Sequence, residues 1–225
     1  MLSKQHKCCE KNNILFSMEK KNLNKNKLKR RINMSATLGP IHYWLYEKIR
    51  NQEDLTKVIA EYAKKEEWLT DISKYVYILP RLEDTIDEDN IHGWLQEKIN
   101  DAEIRFSRLI IELLKNDENR IDEICTVAFE FGKKNAIQPD LTPTEAYQEF
   151  ENFFVNGMPC DRINVLQFQS NNMVSWEMSE DIHAKYWDDS SSLYYIIRKN
   201  VMDGMLYGTG LILNMRNDYK YTIVR

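Results

Sequence analysis

The chain has 225 residues, of which 43% are apolar and 29% are charged, a composition typical of a folded globular protein. Its 7 Gly and 5 Pro exclude a collagen-like or Pro/Gly-rich chain, and its 4 Cys are too few for a disulfide framework. Because the sequence has no run of 18 apolar residues, we expect no membrane partner and a cytoplasmic protein.

The first 33 residues differ in charge from the remainder of the chain. They hold ten Lys/Arg and two Glu, which leaves 21 basic and 33 acidic residues in 34–225. We expect 1–33 to be a disordered basic tail. Three interpretations stay open: a solvated extension, sequence upstream of a start at Met34, or an arm that binds nucleic acid weakly. The acidic body disfavours nucleic acid as its main partner.

The residues from 40 to 157 are predicted to be helical. Apolar residues at helical spacing predict helices over about 40–66, 91–115 and 119–135. A fourth helix is predicted to begin at Thr142-Pro143, an N-cap followed by an N1 proline, and to stop by Gly157. The segment 67–87 is ambiguous between a short strand and a helix that Pro80 ends.

The residues from 158 to 225 are predicted to form a β-β-α-β-β unit. Alternating residues predict strands over 162–169 and 173–178, and two more over 211–215 and 219–224. A helix over 190–208 lies between the pairs, and Gly204 and Gly208 are predicted to let it pack closely on the sheet. The chain is therefore predicted to be a single α+β domain over 34–225, with an antiparallel sheet in its C-terminal part.

A short internal repeat links two predicted helices at an offset of 50 residues. It aligns GPIHYWLYEKIRNQED at 39–54 with DNIHGWLQEKINDAEI at 89–104. In each copy the His and a Glu eleven residues later fall on nearly the same helix face. If the helices pack in parallel, His42 and His92 would meet; if antiparallel, each His would approach the other helix's Glu. A metal site from His42, His92, Glu53 and Glu103 is an alternative, and hydrogen-bonded histidines are favoured over it.

Three residues form the candidate catalytic set. Cys160 is the candidate nucleophile or ligand, and His183 is the candidate base. Asp181 lies two residues before His183 and would share its face in an extended chain, where a carboxylate can fix the imidazole tautomer. The competing interpretation is a small buried cysteine and a solvated Asp–His pair beyond a strand end.

Four residues are candidates for ligand binding. Asn200 lies beside the apolar stripe of its helix, where a polar group needs a partner or a ligand. Trp176, Trp187 and Tyr194 are aromatic side chains that could line an apolar pocket. The sequence identifies no cofactor.

The element order of residues 100–225 carries a family resemblance. The strand pair Arg162–Gln169 and Val174–Ile182, the helix with Asp203-Gly204-Met205-Leu206-Tyr207-Gly208 and the closing strands ending Tyr221-Thr222-Ile223-Val224 resemble the 4-vinyl-reductase-type ligand-binding domains. They also resemble the L-2-amino-thiazoline-4-carboxylate hydrolase family. The I-H-x-W repeat and the Gly157-Met158-Pro159-Cys160-Asp161 segment resemble a small family of uncharacterised proteins from anaerobic bacteria.

The resemblance implies an α+β fold with a small-molecule pocket. The hydrolase family typically carries cysteines near the second strand and a Cys-Asp near the last one. This chain has Asp181 and His183 at the first of these places and Asn217-Asp218-Tyr219 at the second, so no catalytic residue is transferred from the family.

Two functions stay open on the sequence. The first is a hydrolase that opens a C–N bond of a small heterocycle or amide. The second is a ligand-binding or sensor module for an aromatic or apolar metabolite, without catalysis. A homodimer is compatible with either function.

Overall fold

The computed structural model describes residues 38–225, and the predictions made for 1–33 lie outside the described residues. The described part contains five α-helices. Their bounds are α1 Pro40–Lys65, α2 Ile91–Leu114, α3 Arg120–Lys134, α4 Pro143–Phe153 and α5 Ser191–Met205. The four helices predicted in the N-terminal half are confirmed to within a few residues at each end.

The termini of α1 and α4 follow from local chemistry. Pro40 and Pro143 occupy the first turns of their helices, where a missing backbone N–H costs no hydrogen bond. At α4 the Thr142 hydroxyl accepts from the Glu145 N–H, and the Glu145 carboxylate accepts from the Thr142 N–H at 2.8 Å. This reciprocal capping box satisfies two backbone N–H donors that would otherwise lack partners.

The sheet has four antiparallel strands in the order β1-β2-β4-β3. Their bounds are β1 Asn164–Gln169, β2 Met173–Met178, β3 Ile212–Asn217 and β4 Lys220–Val224. With α5 between the two hairpins, the predicted α+β class and β-β-α-β-β order are confirmed. The inner face carries Val174, Trp176 and Met178, which are buried as their alternation predicts.

Helices α1 and α2 pack in parallel, so the two copies of the repeat lie side by side. His42 Nε2 lies 3.4 Å from His92 Nε2, and the rings of Tyr46 and Trp94 lie 5.8 Å apart. Residues 66–90 return the chain between the helices as an irregular segment with two short 3₁₀ turns, at Leu82–Asp84 and Glu88–Asn90. The ambiguous stretch 67–87 is therefore neither a strand nor an α-helix.

Helices α3 and α5 cross so closely that only glycine fits at the contact. A Cβ atom on Gly204 would lie 2.1 Å from the Phe129 carbonyl oxygen, and one on Gly132 would lie 2.0 Å from the Val201 carbonyl oxygen. The prediction that Gly204 and Gly208 pack a helix on the sheet is wrong. Gly204 packs α5 on helix α3, and Gly208 follows α5 at a positive φ of 84° that suits glycine.

None of the helices among residues 38–225 is long and apolar enough to cross a membrane.

Candidate functional site

The strongest candidate site is a buried pair formed by Glu103 of α2 and His183 of the segment between β2 and α5. His183 Nδ1 lies 3.1 Å from Glu103 Oε1, and the two side chains are 1% and 2% exposed. Glu103 occupies a position in the apolar stripe of α2, between Ile99 and Phe106. The helix therefore carries a carboxylate into the interior, where a polar group needs a partner.

The hydrogen bond to Glu103 determines which nitrogen of the His183 imidazole carries the proton. A carboxylate oxygen accepts a hydrogen bond, so the Nδ1 atom of His183 carries the proton at this contact, and in the neutral form of the ring the lone pair is on Nε2. Within residues 38–225, neither His183 Nε2 nor Glu103 Oε2 has a hydrogen-bond partner. A buried acceptor without a partner costs stability, so these two atoms are candidates to bind a ligand.

An aromatic ring covers one face of the imidazole. The ring of Tyr194 stacks on His183 with the centroids 3.7 Å apart and the planes at 22°. Burial raises the pKa of the Tyr194 hydroxyl, so this group stays protonated. Arg198, four residues after Tyr194 on α5, is also buried and donates through its guanidinium to the Asn156 side-chain oxygen at 2.8 Å.

Glu103 and His183 line a small recess of about 80 Å³. Asp161, Lys185 and Tyr186 also line it, and Lys185 is exposed, so the recess reaches the surface. An apolar cavity of about 150 Å³ holds benzene, so this volume fits a group of only a few non-hydrogen atoms. The recess can thus hold a small polar group beside the Glu103 and His183 side chains.

The structure gives Asp181 a different place from the one predicted. Its carboxylate accepts from the backbone N–H groups of His183 and Ala184, both at 3.0 Å, and from the hydroxyls of Tyr195 and Tyr219. These hydrogen bonds lower the pKa of Asp181 against the opposing effect of burial. The chain turns after β2 instead of staying extended, so Asp181 holds the backbone of the turn and Glu103 holds the imidazole.

Cys160 lies outside this hydrogen-bonded pair. Its thiol is exposed, and its hydrogen-bond partner in the described part of the chain is Asp161 Oδ1 at 3.7 Å. Asp161 lines the recess, whereas Cys160 does not contribute to the walls of that cavity. The structure therefore brings the Cys160 loop near the recess without joining the thiol to the His183 ring.

The predicted ligand-binding residues contact other parts of the protein instead of lining the recess. Asn200 donates through its side chain to the Ile196 carbonyl at 2.9 Å, within α5. Trp176 stacks on Tyr221 with centroids 5.1 Å apart, and Trp187 packs edge-on to Tyr194. Trp176, Trp187 and Tyr194 are each at most 2% exposed, and none of them lines the recess. Among residues 38–225, the indole N–H groups of Trp176 and Trp187 and the Tyr194 hydroxyl have no hydrogen-bond partner.

The four residues of the alternative metal site do not converge. Glu53 forms an ion pair with Arg105, and Glu103 bonds to His183. His42 accepts from the Gly39 N–H at Nδ1, which places its proton on Nε2, next to His92. Within residues 38–225, no group of three or more His, Cys, Asp or Glu side chains is arranged to hold a metal ion. The histidines therefore form a hydrogen-bonded pair.

From the sequence, Glu103 is a candidate only as a member of the repeat and of the alternative metal site. The stronger signal was its position, because Leu95, Ile99 and Phe106 place it on the buried face of the helix. A lone carboxylate in an apolar stripe indicates a buried partner or a function. Its partner lies 80 residues away, so the pairing had no local signal.

Comparison with protein families, curated proteins and solved structures finds no match to the chain.

Proposed function

We propose that the chain binds a small polar molecule in the recess and acts on it as a hydrolase of a C–N bond in a small heterocycle or amide. The observation that supports this function is the buried His183, oriented by Glu103, whose Nε2 atom has no hydrogen-bond partner among residues 38–225. A carboxylate–imidazole pair of this kind is the arrangement that general-base catalysis uses. The proposal includes a cytoplasmic location.

The proposed reaction needs one proton relay. His183 Nε2 accepts a proton from a water molecule as the water oxygen forms a bond to the substrate's carbonyl or amidine carbon. The imidazolium then donates this proton to the leaving nitrogen as the C–N bond breaks, so the relay returns to its starting state. Glu103 stabilises the imidazolium through the Nδ1–H hydrogen bond, and the stacked Tyr194 ring favours the same cation.

Cys160 has no part in this reaction. Its exposed thiol has Asp161 as its hydrogen-bond partner in the described part of the chain and does not line the recess beside His183. The proposed hydrolysis therefore uses water directly, and the pair Glu103–His183 takes the place of the predicted Asp181–His183 pair.

A second candidate function is binding without catalysis. The size of the recess favours it, since about 80 Å³ leaves little room for a substrate group together with a water molecule. In this case His183 Nε2 accepts a hydrogen bond from a ligand donor, and the protein senses the molecule. Thermal stabilisation by a ligand that is recovered unchanged would support this alternative.

The test is a turnover screen of cyclic amides and thiazolines with the full chain and three variants. We expect product from at least one compound, and a fall in kcat of about 10²- to 10⁴-fold in His183→Gln and Glu103→Ala. Cys160→Ser is the matched control and should keep the wild-type rate. A loss of activity in Cys160→Ser as large as that expected for His183→Gln would contradict the proposal. Full activity in His183→Gln would also contradict it.

A further inference from the structure

A wide groove lies beside the recess along the same helix. It has a volume of about 590 Å³ and is lined by Ile104, Ser107, Arg108 and Ile111 of α2 on one side. The other side is formed by Lys185, Tyr186 and Asp188. This volume lies within the range of about 300–1,000 Å³ that is usual for small-molecule sites.

The groove and the recess share a wall. Lys185 and Tyr186 line both cavities, and the Tyr186 hydroxyl donates a hydrogen bond to the Asn100 side-chain oxygen on α2. Asn100 lines the groove, one turn of α2 before the recess residue Glu103. The Asn100–Tyr186 hydrogen bond therefore joins the two sides of the groove next to the recess.

The walls of the groove carry more positive than negative charge. Arg108 and Lys185 are exposed, and among residues 38–225 neither has a carboxylate within 4.0 Å. Asp188 is the one carboxylate on its walls, so these three side chains sum to a net positive charge. This local charge is opposite to that of the acidic body of the chain. Ile104, Ile111 and the Tyr186 ring supply an apolar surface between the charges.

We infer that the groove is the outer part of the same binding site and takes an elongated ligand with an apolar body and an anionic group. Arg108 and Lys185 hold the anionic group, and the apolar body lies on Ile104 and Ile111. The reacting end passes Tyr186 into the recess beside His183. The placement of the ligand's reacting end rests on the proposed function, whereas the anion preference of the groove does not depend on that function.

Two compounds with the same body and opposite charge test the groove. Binding of 4-phenylbutyrate and 4-phenylbutylamine to the full chain is measured by calorimetry at equal ionic strength. We expect the anion to bind more tightly than the amine. In Arg108→Gln and Lys185→Gln the anion should lose about twofold to fivefold in affinity, the effect of an exposed ion pair. Lys134→Gln, an exposed cation of α3 outside the groove, is the control and should bind like the wild type.

Imidazole NMR signals of His183 report whether the groove and the recess are one site. We expect them to shift when 4-phenylbutyrate binds, because Tyr186 lines both cavities. Equal binding of the two compounds, or unchanged affinity in both groove variants, would overturn the anion preference. Binding without a shift at His183 would overturn the shared site. Neither result depends on turnover, so a failed groove and a failed hydrolase are distinguishable.

Discussion

His183 and Glu103 meet across 80 residues of sequence, with Nδ1 and Oε1 3.1 Å apart in the protein interior. The contact joins α2 to the segment that precedes α5, and so ties the helical half to the sheet half. Because both side chains are buried, replacing one partner leaves the other without its hydrogen bond. The pair should therefore affect both stability and activity.

Glu103→Gln separates these two effects. The Gln side-chain oxygen can still accept from His183 Nδ1–H, so we expect a stability loss of at most about 1–2 kcal/mol in urea unfolding. The loss of kcat, expressed as a free energy, should exceed this loss of stability. A neutral amide stabilises the imidazolium less than a carboxylate does. Glu103→Ala removes the acceptor and should lose about 1–3 kcal/mol. Equal stability of the Ala and Gln variants would show that the hydrogen bond is not formed.

The His42–His92 pair predicts a dependence of stability on pH. Burial and then the neighbouring His92 lower the pKa of His42 below its usual value of 6.5. The unfolded chain therefore binds more protons than the folded one just below pH 6.5, and stability rises with pH through that window. Urea midpoints between pH 5 and pH 7.5 measure this. His42→Gln should flatten that part of the profile, and an unchanged profile would contradict the account.

Lys48 is a charged side chain that the fold accommodates at a cost. It is 3% exposed, and burial is the main cause that lowers its pKa to about 8, against the opposing effect of Glu151. We expect Lys48→Met to raise the free energy of unfolding at pH 7 by about 1–3 kcal/mol. The gain should shrink above pH 8, because the folded wild type then loses the proton more readily than the unfolded chain. Lys57→Met, at a partly exposed position of the same helix, is the control and should change little.

The close crossing of α3 and α5 predicts a severe effect of one added methyl group. In Gly204→Ala the new Cβ would meet the Phe129 carbonyl oxygen at 2.1 Å, and backbone atoms cannot rotate away. We expect a loss of about 3 kcal/mol or more, or no folded protein. Ser192→Ala, an exposed position in the first turn of α5, should stay within about 0.5 kcal/mol of the wild type by urea unfolding. A stable Gly204→Ala protein would contradict the crossing.

Local chemistry explains which parts of the fold are predictable from the sequence. Pro40 and the Thr142–Glu145 capping box mark helix starts, and the alternation of Val174, Trp176 and Met178 marks a strand with one buried face. These signals act over a few residues, so a single sequence contains them.

The candidate site depends on contacts that no local pattern contains. The partner of His183 was predicted at Asp181 from an extended chain, but the chain turns there, and the turn brings Glu103 of α2 to the imidazole. The choice between parallel and antiparallel α1 and α2 likewise depends on the irregular segment 66–90 that connects them. Tertiary packing determines the partner of His183 and the relative direction of α1 and α2. It brings together residues that are far apart in sequence.

The protonation of the His183 ring tests the central claim most directly, and it requires no substrate. Nitrogen NMR of the imidazole distinguishes a ring with its proton on Nδ1 from one with its proton on Nε2. The account predicts that the neutral form of the ring carries its proton on Nδ1, with Nε2 free to accept a proton, and that Glu103→Ala gives a mixture of tautomers. A wild-type ring protonated on Nε2 would contradict the account, because that atom could not then act as the base.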